Sequence, residues 1–136
     1  MSIWVLILFA ITGYLGRYIP SDLVELAPGK MVREKVKEPV LVLMEKCDLY
    51  VISAYRSYDY QKKLYAKSTS GKVARPGYSE HQLGIAIDFG DGQCDLEECF
   101  YNQCLIDNAE KYGFKLSYDK NNKKYGYEPW HYKYIK

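Results

Sequence analysis

At 136 residues the chain has room for one domain and little more. Its 48% hydrophobic and 26% charged residues are ordinary for a globular protein and argue against disorder over most of its length. A formal net charge of +2, with no dense Lys/Arg run, lacks the basic stripe that phosphate binding needs and speaks against a nucleic-acid partner.

Ile3 to Ile11 is continuously apolar, and residues 12–16 extend it without charge. Counted on to Ile19, with Arg17 snorkelling, the stretch reaches about 17 residues, the lower end of the membrane-spanning range. An apolar core of about 7–15 residues also suits a signal peptide, although no Lys or Arg precedes this one. Residues 1–19 are therefore expected to be an export signal or an uncleaved N-terminal membrane anchor. The alternative is a buried core helix. Residues 20–136 form the expected folded domain, placed at the cell envelope outside the cytoplasm.

Ser21-Asp22-Leu23 and Ala27-Pro28-Gly29 read as turns. Met31 to Cys47 has helical periodicity, with Val32, Val36, Val40, Leu43 and Met44 on one side and a break or a new first turn expected at Pro39. Leu49 to Ala54 is rich in β-branched and aromatic residues and predicts a strand. Asp59 is placed to cap a short helix from Tyr60 to Lys67, and residues 68–79 read as a polar loop. Gly84–Phe89 predicts a second strand, Leu96–Tyr112 a helix stopped by Gly113, Phe114–Tyr118 a third strand and Trp130–Ile135 a last one. Strands and helices without regular βαβ alternation indicate an α+β fold with a small antiparallel sheet flanked by helices.

Cys47, Cys94, Cys99 and Cys104 make an even count, which in a small exported domain suggests disulfides with three connectivities open. A local bridge within Cys94–Cys99–Cys104 is plausible on spacing. Cys47 is read as a small buried hydrophobe.

The chain has two histidines, each in a dense polar-aromatic segment: Ser79-Glu80-His81-Gln82-Leu83-Gly84-Ile85-Ala86-Ile87-Asp88 and Glu128-Pro129-Trp130-His131-Tyr132. Catalytic zinc takes about three protein ligands and keeps one position open for water. With His81 and His131 supplying two, Asp88 is the candidate third, since a carboxylate ending an apolar strand needs a reason to be buried. Glu128, three residues before His131, is the candidate general base. The HExxH helix of many zinc proteases is absent.

Ser79-x-His81-x-x-Gly84-x-Ala86-x-Asp88 resembles the signature of the VanY-type D-alanyl-D-alanine carboxypeptidases, grouped with lysostaphin-type and hedgehog-like zinc folds. Glu128-x-x-His131 is similar to its second half, and Ser53-Ala54-Tyr55-Arg56-Ser57-Tyr58-x-x-Gln61 resembles a block upstream. The likeness implies one zinc ion on His81, Asp88 and His131, Glu128 as base, and Arg56 polarising the scissile carbonyl. It further implies that Gln61 and Ser79 contact the substrate; Tyr118 is a further pocket candidate. The implied partner is a peptidoglycan stem peptide that loses its C-terminal residue, and the chain is expected to work as a monomer. L,D-carboxypeptidase or endopeptidase action on the same fold is the alternative. So is a zinc-containing binding domain without turnover, which would be free to lose Glu128. The likeness weakens between Cys94 and Cys104, where that family continues with plain helix-forming residues.

Overall fold

The computed structural model describes residues 3–4, 13–94 and 99–136. Strands β1 (Leu23–Ala27) and β2 (Lys30–Arg33) form an antiparallel hairpin. This corrects the turns expected there and a helix starting at Met31. Val32 belongs to β2, yet it continues the four-residue spacing of Val36 and Val40, so the helical period runs back through a strand. Helix α1 (Glu34–Cys47) then buries Val36, Val40, Leu43 and Cys47 along one stripe. Pro39 lies inside it without breaking it. The ring removes one backbone hydrogen bond, and the buried side chains on both sides of it hold the axis.

Strand β3 (Tyr50–Ser53) leads to helix α2 (Tyr58–Lys67). Its cap is Ser57, whose Oγ accepts from the Tyr60 N–H at 3.1 Å. Asp59, the expected cap, sits in the first turn and pairs with Arg17. A 3₁₀ turn (Glu80–Leu83), strand β4 (Ala86–Gly90), helix α3 (Gln103–Asn108), a second 3₁₀ turn (Glu110–Tyr112), β5 (Phe114–Leu116) and β6 (His131–Tyr134) complete the chain. The long helix expected over residues 96–112 is thus mostly absent. Residues 95–98 lie outside the described part, and α3 starts only where the Asn102 side chain accepts from the Leu105 N–H at 2.8 Å.

The sheet has the order β3-β4-β6-β5 and is antiparallel throughout, as the α+β reading expects. Alternation along its strands separates two jobs. Val51, Ile87, Phe89, Phe114 and Tyr132 join α1 in the core. Asp88, His131 and Lys133, each one residue out of step, belong to the opposite face. Burying an aromatic side chain such as Phe89 or Phe114 contributes about 1.5–3 kcal/mol, so the core holds the polar face in register.

Most of the apolar N-terminal stretch, residues 1–2 and 5–12, lies outside the described part, so the export or anchor reading is not addressed there. Among the described residues no helix is long and apolar enough to cross a membrane. Residues 13–19 lie against the domain. Leu15 N–H donates to the Gly77 carbonyl at 2.7 Å, and Gln82 Nε2 donates to the Gly16 and Tyr18 carbonyls.

Two disulfides are formed, Cys47–Cys104 and Cys94–Cys99. The second is the kind of local bridge that spacing allowed. The first corrects the reading of Cys47 as an unpaired hydrophobe: the last turn of α1 packs beside α3, where the partner waits 57 residues on. Converting both Cys47 and Cys104 to Ser is expected to cost about 2–4 kcal/mol of stability, measured as a lower denaturation midpoint. A midpoint that neither this change nor reductant moves would count against the bridge.

Candidate active site

The sheet register builds half of the site. Asp88 on β4 is the direct cross-strand partner of His131 on β6, and His131 Nδ1 lies 2.9 Å from Asp88 Oδ1. On the other side of β4 the pairing slips between Val51 and Ser53, which sets Ser53 opposite Asp88. Arg56, just after β3, turns back over this point. Its Nε donates to Ser53 Oγ at 2.9 Å and its Nη2 to Asp88 Oδ2 at 3.0 Å. Two adjacent strands thus bring a cation and an imidazole onto one buried carboxylate.

The 3₁₀ turn supplies His81. Ser79 caps it, its Oγ accepting from the His81 N–H at 3.3 Å. Gly84 ends it with φ +72°, in the left-handed region. A Cβ there would lie 2.9 Å from Arg33 Cγ and 3.1 Å from Leu23 Cδ2. The motif glycine is therefore demanded twice, by the turn and by the β1–β2 hairpin pressed against it. From this turn His81 Nε2 reaches to 3.2 Å from Asp88 Oδ2.

His81, Asp88 and His131 offer ligand atoms that all lie within 4.8 Å of one another, and all three residues are buried. The proton positions follow from what each ring nitrogen faces. His81 Nδ1 is 2.7 Å from the Ala54 carbonyl, which can only accept, so Nδ1 carries the proton and Nε2 turns a lone pair toward Asp88. His131 Nε2 is 3.0 Å from Glu80 Oε2, so Nε2 donates and Nδ1 turns toward Asp88. Two lone pairs and a carboxylate converging on one point repel unless a cation or a proton sits between them. Two nitrogens and one oxygen, with room for a fourth group, fit zinc.

The acid–base character agrees. Burial alone would raise Asp88, but the charges and hydrogen bonds of His81 and His131 overcome it and hold the carboxyl far below the usual range. Burial would lower His131, but hydrogen bonds to Asp88 and Glu80 lift it to about 9. For His81 burial wins over the pull of Asp88, and the imidazole is pushed down toward its neutral, ligating form. In the metal-free chain, a proton on His131 Nδ1 does what a cation would do.

A cleft of about 390 Å³ opens over this cluster. All eight residues singled out from the sequence line it: Arg56, Gln61, Ser79, His81, Asp88, Tyr118, Glu128 and His131. Glu128 Oε2 stands 3.6 Å from His131 Nδ1, at the mouth of the cluster. The Tyr118 ring packs on His131 with centroids 4.8 Å apart. Burial and the nearby carboxylates of Glu80 and Glu128 push its hydroxyl well above the usual range, so it stays protonated and able to donate. Gln61 is fully buried and spends both ends of its amide on the protein: Oε1 accepts from Arg56 Nη1 at 3.4 Å, and Nε2 donates to the Ala74 carbonyl at 2.8 Å.

One residue escaped the sequence reading. Glu80 accepts from His131 Nε2 at 3.0 Å, from Ser117 Oγ at 2.6 Å and, through its other oxygen, from Lys133 Nζ at 3.1 Å. Burial raises its pKa, but these partners outweigh it and bring the carboxyl down to about 2, so it is ionised at neutral pH. In the sequence it is one charged residue beside His81, and nothing in the spacing separates it from a solvated surface charge.

Three comparisons bear on this arrangement. The family model "D-alanyl-D-alanine carboxypeptidase" (VanY) matches residues 40–136. The putative carboxypeptidase YodJ of Bacillus subtilis is 34% identical over 151 aligned residues, covering 88% of this chain and 55% of that protein. This chain thus spans little more than half the length of that relative. Among solved structures, the LdcB LD-carboxypeptidase superposes with a TM-score of 0.70 at 32% identity, over 87% of this chain and 70% of the other. The vancomycin-resistance D,D-dipeptidase VanXYg, solved with a D-Ala-D-Ala phosphinate analogue, gives 0.75 at 28% identity, over 91% and 60%. These neighbours carry the hedgehog-like α+β fold expected from the motif order. With the family model spanning more than half of the chain and both histidine motifs inside it, this protein belongs to the VanY family of D-alanyl-D-alanine carboxypeptidases.

Proposed function

We propose that this chain is a zinc-dependent D-alanyl-D-alanine carboxypeptidase that removes the C-terminal residue from peptidoglycan stem peptides. In this reading His81, Asp88 and His131 hold one zinc ion. The observation that carries it is the pair of imidazole nitrogens turned onto Asp88, each ring fixed from behind, at the floor of a cleft that also holds Glu128 and Arg56. A bound zinc ion supplies Lewis-acid polarisation and acidifies water.

The chain's own groups supply the rest. Glu128, beside the open side of the cluster, takes the proton from the attacking water and returns it to the leaving amine. Arg56 faces the cleft from a fixed position, braced by Ser53, Gln61 and Asp88. It stabilises the oxyanion that develops on the scissile carbonyl, an effect of about 3–4 kcal/mol for one well-placed donor. Gln61 acts through Arg56 by fixing its guanidinium, and Ser79 sets the turn that presents His81 while its hydroxyl borders the cleft. Tyr118 packs against His131 and, lining the cleft with its hydroxyl protonated, can donate to substrate there.

Two disulfides support an oxidising compartment, hence export and work at the cell envelope, with the apolar N-terminal stretch as signal or membrane anchor. The likeness to an LD-carboxypeptidase keeps that specificity as the second reading. The family model favours D,D.

Incubation of the zinc-loaded chain with a defined pentapeptide stem is expected to release one terminal D-Ala, seen as a single mass loss. Cleavage of the tetrapeptide instead would select L,D action, and no cleavage of either would defeat the reading. Glu128→Ala is expected to keep zinc stoichiometry while hydrolysis falls by at least about 10²–10⁴-fold; undiminished turnover would remove it as base. Glu80→Ala is expected to weaken zinc binding about 10–100-fold, read by competition with a chromophoric chelator. Glu80→Gln, which keeps an acceptor for His131, should lose less; an affinity unmoved by either change would deny Glu80 its hold on the ligand.

A further inference from the structure

The loop of residues 68–79 closes one side of the cleft, and a second cavity of about 360 Å³ lies against it. The two spaces share Val73 and Tyr125 as a common wall. The second is lined by the side chains of Tyr65, Tyr78 and Tyr125 and by two cations, Arg75 and Lys124, and no carboxylate lines it.

Both cations are exposed, and Arg75 differs from the other arginines of the chain. Of the four arginines, Arg17 holds Asp59, Arg33 holds Asp22 and Arg56 holds Asp88. Among the described residues Arg75 is the one arginine without a carboxylate partner, and Lys124 lies over the Tyr125 ring, 5.2 Å from its centroid. The backbone that carries Arg75 is fixed nonetheless. Gln61 holds the Ala74 carbonyl at 2.8 Å, the Tyr78 N–H closes a turn on the Arg75 carbonyl at 2.9 Å, and Leu15 N–H holds the Gly77 carbonyl at 2.7 Å. An unneutralised guanidinium on a fixed backbone, with a second cation facing the same tyrosine-walled space, is a place prepared for an anion.

We propose that this cavity is a second binding subsite, which takes a carboxylate carried by the peptide substrate upstream of the scissile bond. The inference rests on the peptidase reading above and adds to it a preference for an acidic residue away from the reacting end. A guanidinium pairs a carboxylate through two parallel hydrogen bonds, and tyrosine faces and hydroxyls suit the peptide that bears it. The cavity lies beyond the Val73–Tyr125 wall, apart from Arg56 and the metal cluster, so a group bound there leaves the reacting dipeptide in the main cleft.

The test uses the zinc-loaded full chain and three peptides that share a D-Ala-D-Ala end: one with an upstream acidic residue, the same peptide with that carboxylate amidated, and a short peptide lacking the residue. The acidic form is expected to show a KM about five- to tenfold below its amide, with similar kcat. In the Arg75→Ala/Lys124→Ala variant that ratio is expected to fall to about one. Equal constants for acid and amide, or a ratio that survives in the double variant, would overturn the subsite. So would a variant that weakens all three peptides alike, because the terminal carboxylate would then be the group bound. If no peptide is cleaved, the peptidase reading fails. Titration of acid and amide forms, followed by the ring resonances of Tyr65, Tyr78 and Tyr125, then decides the subsite separately: tighter binding of the acid, lost in the double variant, sustains it, and equal binding removes it.

Discussion

Everything at this site turns on one buried carboxylate. Asp88 has Arg56 Nη2 at 3.0 Å, His81 Nε2 at 3.2 Å and His131 Nδ1 at 2.9 Å. An isolated carboxylate at that depth would be costly or neutralised. Here it is kept ionised because the three groups arrive from three separate parts of the chain, and each is fixed by something other than Asp88. His81 is pinned by the Ala54 carbonyl, His131 by Glu80, and Arg56 by Ser53 and Gln61. The cluster is a constraint on the fold as much as a product of it.

The sheet shows how that constraint is met. The cross-strand pair Asp88–His131 sits between Ile87 and Phe89 on one strand and beside Tyr132 on the other, and all three neighbours are in the core. A slip of one residue would turn both polar side chains inward and expose the aromatic rings. The apolar face therefore enforces the polar one. This is also why the motif spacings carry so much: Asp88 four residues after Gly84, and His131 three after Glu128, are distances along a strand and across a turn whose geometry leaves few alternatives.

That coupling explains what the sequence disclosed and what it withheld. The strands of the site were legible because their signals are local and strong: Tyr50–Ser53 and His131–Tyr134 lie within the strands expected there, and Ala86–Gly90 overlaps the one expected over Gly84–Phe89, running one residue past it. The β1–β2 hairpin was not, since Val32 mimics the next turn of α1 and no Asn-Gly or Asp-Gly pair marks the reversal. The break at Pro39 was expected from backbone chemistry alone, and the packing of Val36, Val40 and Leu43 outweighs it. The Cys47–Cys104 bridge and the role of Glu80 depend on contacts 57 and 51 residues apart, which no spacing rule reaches. The eight site residues found from the sequence all line the cleft; the residue missed acts from behind it.

Glu80 and Gln61 give the site its coherence. Glu80 is the neighbour of His81 in sequence and the partner of His131 in space, so a movement of the 3₁₀ turn disturbs both imidazoles at once. Gln61 does the same for the substrate side: one end of its amide steadies Arg56 and the other holds Ala74, the residue before Arg75. The candidate metal cluster, Arg56 and the loop bordering the second cavity are therefore joined through two buried polar side chains. A site joined in this way is organised before anything binds, so the free energy of peptide binding need not be spent on arranging the catalytic groups.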